Sequence, residues 1–254
     1  MRARHKSKST IFISFSGIDG AGKSTQIESL RGRMESMGQR VQVIQFWNDV
    51  AMFVRFRETA AHTLFKGDKG VGTPSAPVNR RDKNVRSWRM TAVRLCLYLA
   101  DAVSARFVVR KMSRCGRDVI IFDRYIYDEL ANLNLRNPVM RAYSMLIIKL
   151  VPQPDAAYFL DAIPIQARAR KPEYPIEFLH SSRASYLALS DLIGGTKVVA
   201  PMPIRQVEEE VLRHALKELP FAAAETENGA GTDARDGTCE SAKMDGPYSH
   251  PSAS

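Results

Sequence analysis

The sequence predicts an α/β protein in three layers, a five-stranded parallel sheet with helices on both faces. Three observations predict it. Five short runs, Ile11–Phe15, Val41–Phe46, Asp118–Phe122, Ala156–Leu160 and Lys197–Ala200, are rich in β-branched and aromatic residues. Stretches of helical periodicity separate them. The runs are nearly continuous in apolar character, as strands buried on both faces require.

Each element follows from its residues. After the first run comes a glycine-rich turn, Gly17 to Gly22. A helix is expected over 23–37, where Ile27, Leu30, Met34 and Met37 recur every three or four residues, with Gly38 as its stop. Residues 50–65 place Phe53, Phe56, Ala60 and Leu64 on one helical face. Between 66 and 87, Gly67, Gly70, Gly72, Pro74 and Pro77 break any regular element. Lys66, Lys69, Arg80, Arg81, Lys83 and Arg86 make that stretch a long basic surface loop. Further helices are expected over 88–112, 138–150, 176–193 and 204–219, with another beginning at Ile165.

The chain divides into three parts: a basic leader over 1–10, one domain over 11–220, and a tail over 221–254 whose composition predicts disorder. Net charge is +10. In the tail six acids against two bases leave −4, so the remainder carries +14. A basic body suits a polyanionic ligand, a nucleotide's phosphates among them. The bases lack the interleaved aromatics of a nucleic-acid platform, so a stable nucleic-acid partner is not expected. Cys96, Cys115 and Cys239 are too far apart for a disulfide framework or zinc site, which points to a reducing cytoplasmic compartment. No apolar run approaches membrane-spanning length.

The chemistry concentrates at Gly17-Ile18-Asp19-Gly20-Ala21-Gly22-Lys23-Ser24, which fits G-x-x-x-x-G-K-[S/T] without adjustment. Glycines let successive backbone N–H groups turn inward as an anion nest. The helix starting near Lys23 adds the positive end of its dipole. Lys23 is placed to reach the β- and γ-phosphates of a triphosphate, and the Ser24 hydroxyl to ligate Mg²⁺.

Extended to Thr25, this loop resembles that of the thymidylate kinase family, G-[hydrophobic]-[D/E]-G-A-G-K-[S/T]-T. Asp123-Arg124-Tyr125 is similar to the family's D-R-[Y/H] signature, and Pro154-Asp155 through Leu160-Asp161 to its P-D-x-x-x-x-L-D strand. Arg168, Arg170 and Lys171 fall where the family has its lid, here near 166–176, and Arg183 and Tyr186 echo an R-x-x-Y pattern. The resemblance implies a P-loop NTPase fold, ATP and Mg²⁺ as cofactors, and a nucleoside monophosphate acceptor, dTMP first. It implies that Asp19 contacts the acceptor sugar and that Arg124 grips the acceptor phosphate. Asp123 would lie near the transferred phosphate and the metal. Because Gly20 stands where some members carry arginine, the catalytic arginine would come from the lid, as Arg168 or Arg170.

Three departures lie on the acceptor side. Phe46-Trp47-Asn48-Asp49 replaces the family's R-E-P-G. The F-x-x-x-R of the long helix becomes Tyr98 and Ala102, and the base-reading glutamine becomes Leu133. Tyr98 and Trp47 are therefore the candidate aromatic contacts to the acceptor. Two other readings stay open: a kinase of a sugar or other metabolite, and a regulatory nucleotide-binding protein. A GTPase would carry N-K-x-D, which is missing. The apolar helix near 142–151 is a candidate homodimer face, with a core helix as the plainer reading.

Overall fold

The computed structural model describes residues 10–51 and 88–218. The leader up to residue 9, the basic loop 66–87, most of the helix expected over 50–65, and the tail lie outside the described residues.

Five strands form one all-parallel sheet: β1 (Ile11–Ser16), β2 (Val41–Gln45), β3 (Val119–Asp123), β4 (Ala156–Leu160) and β5 (Lys197–Val199). Their spatial order is β2-β3-β1-β4-β5. β1, at the centre, is buried along its whole length. The helices are α1 (Lys23–Ser36), α2 (Trp88–Arg114), α3 (Ile126–Leu130), α4 (Pro138–Leu150), α5 (Pro164–Arg170), α6 (Ile176–Ile193) and α7 (Ile204–Glu218).

Strand periodicity divides the core in two. On one face Phe12, Ile120, Phe122, Ala157 and Phe159 pack with Tyr98, Ala102 and Ala105 of α2, Ile126 and Leu130 of α3, and Ile147 of α4. On the other, Ile13, Phe15, Val119, Ile121, Tyr158 and Leu160 pack with Ile27, Leu30 and Met34 of α1 and Val211 and Ala215 of α7. The strands thus have two apolar faces because helices cover both, and the three layers follow.

Local signals behave as their chemistry dictates. α1 ends with the N–H of Gly38 donating to the Glu35 carbonyl at 2.9 Å and that of Gln39 to the Met34 carbonyl at 3.1 Å. That pattern uses the positive φ of Gly38 (74°) to satisfy the last carbonyls. The Asn137 side chain accepts from Val139 N–H at 2.9 Å, capping α4, with Pro138 in its first turn. Two elements were not expected from the sequence. Phe46–Val50 closes as a π-helical turn just after β2, and α3 fills the corner after β3.

β1, β2 and β3 end level: Phe15 and Gln45 both pair with Asp123. Gly17, Phe46 and Arg124 therefore emerge on one edge of the sheet, the carboxyl edge where α/β folds place ligand crevices. Among the described residues no helix is long and apolar enough to cross a membrane.

Candidate active site

The loop from Gly17 to Gly22 has the backbone its glycines anticipate. φ is 142° at Gly17, 82° at Gly20 and 90° at Gly22, the last at the position preceding α1. Two of these glycines are also needed for space. A Cβ on Gly17 would lie 2.5 Å from the Leu160 carbonyl oxygen, and one on Gly20 would lie 2.3 Å from that of Ala167. The loop is thus squeezed between the end of β4 and helix α5.

Lys23, 7% exposed, bends back over the loop and donates to the carbonyls of Gly17 (2.8 Å) and Ile18 (3.0 Å). Burial and the repulsion of Arg124 lower its ammonium pKa to about 8, against the pull of Asp128, Asp19 and Asp123. Ser24 and Thr25 open α1 and are exposed; Ala21 is half-buried against the apolar clusters beside the loop.

Across the loop stands Arg124, next after β3. It is the one non-glycine residue with positive φ (66°) among the described residues, a conformation costing roughly 1–2 kcal/mol. The backbone is held there because its N–H donates to the Phe15 carbonyl at 3.0 Å. Its guanidinium forms an ion pair with Asp19 and lies 3.6 Å from Asp128. Burial alone would raise the Asp19 carboxyl, but Arg124, then Lys23 and Lys171, hold it below the usual range. The Asp123 carboxylate forms no hydrogen bond among the described residues and is near enough to Lys23 to favour its charged form.

Helix α5, where a lid is expected, is docked against the loop. α5 carries Arg168 and Arg170; Arg170 donates to the Gly20 carbonyl at 2.9 Å, and Arg168 forms no ion pair among the described residues. Ile18, Ala162, Ala167, Tyr174 and Leu179 seal the contact. Glu173 pairs with Lys171 at 3.2 Å. Arg183 of α6 grips Asp161 through two hydrogen bonds of 2.6 Å, fixing that helix to the end of β4.

A small pocket beside the loop is lined by Asp19, Arg124, Asn132, Phe178, Ser182 and Tyr186, among others. The structure thus brings Asp19 and Arg124 together with the loop and the lid. It does not bring Trp47 or Tyr98 to this pocket. Trp47 is exposed in the π-turn, its ring edge-on to Phe46. Tyr98 is 4% exposed in the core, one turn from Ala102.

The sequence reading missed Phe178 and Ser182, which with Tyr186 stand at i, i+4 and i+8 on α6, a spacing that marks one helix face. It also missed Asp128. That carboxylate, 4% exposed, accepts from the hydroxyls of Ser16 (2.6 Å) and Tyr186 (2.7 Å) and from Tyr125 N–H (3.0 Å). It stands three residues past Tyr125, the residue preceding α3, and no local signal in the sequence marked it. Among the described residues no group of three or more His, Cys, Asp or Glu side chains could hold a metal.

No family model matches the chain. It is 30% identical over 167 residues to a thymidylate kinase of Bifidobacterium longum (strain DJO10A), a match covering 64% of this chain and 71% of that protein. It is 26% identical over 220 residues to a probable thymidylate kinase of Pyrococcus abyssi, covering 82% and 97%. A probable thymidylate kinase of Methanosphaera stadtmanae is 25% identical over 210 residues, covering 81% and 97%.

Proposed function

The chain belongs to the thymidylate kinase family, and from that premise we propose that it transfers the terminal phosphoryl group of ATP to a nucleoside monophosphate, dTMP first among them. One observation carries the reading: the glycine loop and Lys23 stand across a single mouth from Arg124, which pairs with the loop's own Asp19, an arrangement that suits a triphosphate beside a second anion.

In the reaction an oxygen of the monophosphate attacks the γ-phosphorus, and the bond from that phosphorus to the bridging oxygen of ADP breaks. The products are ADP and the nucleoside diphosphate. The protein supplies alignment and charge. The backbone N–H groups from Gly17 to Gly22 cradle the triphosphate, and Lys23 bears on its terminal groups. Arg124 binds the acceptor phosphate, and Asp19 takes the acceptor sugar hydroxyl. Arg168 and Arg170, carried on α5 directly over Gly20, set cations against the charge that builds on the transferring group and keep water out.

Mg²⁺ is the metal such a reaction uses, and the residues fit it. Ser24 is exposed at the start of α1, and the Asp123 carboxylate is not engaged in hydrogen bonds among the described residues; both are hard oxygen donors. These two would hold the ion together with nucleotide phosphates, as the lack of a larger acidic cluster among the described residues requires. The ion would neutralise charge between the β- and γ-phosphates.

A second acceptor has one specific observation in its favour. Ala102 and Leu133, which stand where the family reads thymine, are 0% and 6% exposed and belong to the apolar core. Asn132 and Asn134 flank the position of that lost glutamine, and of the two Asn132 lines the pocket. The test is to incubate the full chain with MgATP and a panel of monophosphates and to follow diphosphate formation. Formation of dTDP is the expected result; another monophosphate in its place would move the acceptor, and no diphosphate from any would end the reading.

We also propose that the protein pairs with a second copy. Leu99, Val103 and Phe107 of α2 and Met145 and Leu146 of α4 are exposed. The two helices lie side by side, with Arg106 donating to the Leu150 carbonyl at 2.9 Å, so the exposed apolar residues form one face.

A further inference from the structure

The carboxylate of Asp128 takes no part in the transfer as set out above, yet it is the most heavily bonded acid of the site. Three donors from three elements converge on it: Ser16 from the end of β1, the Tyr125 N–H at the head of α3, and Tyr186 from α6. A carboxylate this deeply buried is tolerated only when its oxygens are saturated with donors, and a cation stands beside it, Arg124 at 3.6 Å. Burial and then the nearby Asp128 carboxylate raise the Tyr186 phenol well above its ordinary range, so that hydroxyl stays a donor.

Arg124 thus lies between two acids of different standing. Asp19 rides on the phosphate loop, is partly exposed, and is itself claimed by the acceptor sugar in the reading above. In that reading an entering acceptor phosphate takes the place of Asp19 on Arg124. Asp128 is held in place, because Ser16 and the Tyr125 N–H, two of its three donors, are buried and it is itself 4% exposed. We propose that Asp128 is a positioning residue. It fixes the Arg124 guanidinium for the acceptor phosphate and, through Tyr186, ties that orientation to α6, the helix that follows the lid. This deepens the kinase reading and rests on it. It also explains why Arg124 tolerates a left-handed backbone: the conformation delivers the side chain to a fixed anion.

The test has two arms on the full chain. In the first, ¹⁵N-labelled arginine guanidinium signals are recorded, with Arg124 assigned by their loss in Arg124→Lys. A pinned guanidinium shows separate, slowly exchanging Nη signals; in Asp128→Asn these should average or vanish. In the second, Asp128→Asn should raise the acceptor KM about tenfold, the loss of one charge-assisted contact, while kcat and the ATP KM change less than about twofold. The same substitution placed on Arg124→Ala should then add less than about twofold. Tyr186→Phe removes one donor without a charge change. It should shift the acceptor KM about two- to threefold in the same direction, and it serves if Asp128→Asn does not fold. Unchanged Arg124 signals, or an equal KM penalty with and without Arg124, would overturn the proposal. If the wild-type protein phosphorylates no monophosphate, the kinase reading fails, and the guanidinium signals still decide the positioning role.

Discussion

Asp19 and Arg124, 105 residues apart in sequence, meet as an ion pair across the mouth of the phosphate loop. One rides on a turn, the other on a strand end, and the sheet register alone brings them together. Arg124→Ala should raise the acceptor KM by roughly 10- to 100-fold, the worth of a charge-assisted contact to phosphate, with the ATP KM little changed. Steady-state kinetics with each substrate varied in turn checks it; a parallel rise in both KM values would place Arg124 elsewhere in the mechanism.

Lys23→Ala should lower kcat by about 10²- to 10³-fold, since it removes a preorganised cation from developing charge. Folding should survive, because Lys23 bonds only to loop carbonyls. Circular dichroism alongside turnover separates the two, and near-normal kcat would remove Lys23 from the chemistry.

The same residue sets a pH dependence. With its pKa lowered to about 8, Lys23 begins to lose its proton in mildly alkaline solution. kcat/KM for MgATP, which reports the free enzyme, should fall above about pH 8, and kcat should fall only at higher pH because bound phosphates favour the ammonium. Stability runs the other way. Between about 8 and 10.5 the unfolded chain holds a proton on this lysine that the folded chain has released, so this group makes folding more favourable as pH rises through that window. Rate profiles between pH 6.5 and 9.5 are the measurement, and a flat kcat/KM limb is the contrary result.

Gly20→Ala should both destabilise the fold and hamper transfer. Its φ of 82° disfavours a side chain, and the added Cβ would meet the Ala167 carbonyl oxygen at 2.3 Å. Strain and a displaced α5 together predict a loss of about 2–3 kcal/mol, a fall in Tm of roughly 4–10 °C. A thermal melt with no shift would mean that α5 does not rest on the loop.

Phe107→Glu tests the pairing face. Phe107 is 66% exposed, so a monomer should accept the change with little loss of stability. If α2 and α4 form a homodimer, sedimentation should show the wild type as a dimer and the variant as a monomer. An unaltered dimer would put the interface elsewhere.

The glycine loop, the two-faced strands and the stop at Gly38 were legible in the sequence because their causes are local. Positive φ, a period of two, and a helix end are each set within a few residues. What stayed hidden depends on which elements become neighbours. Tyr98, a candidate acceptor contact by sequence, packs among the core residues of one sheet face. Phe178 and Ser182 looked like ordinary helix positions until α6 was fixed beside the loop by Arg183 and Asp161. Asp128 was hidden because its bonds to Ser16 and Tyr186 span 112 and 58 residues.

The sequence by itself determined that this chain folds as a parallel α/β sheet with a glycine-rich loop after its first strand, since backbone chemistry and apolar periodicity leave little else for those residues. Only the tertiary structure decided which side chains face that loop and how Arg124 is shared between Asp19 and Asp128. The physical reason is that such contacts arise from packing between distant segments, where distance and burial, and not residue type, determine how charges pair.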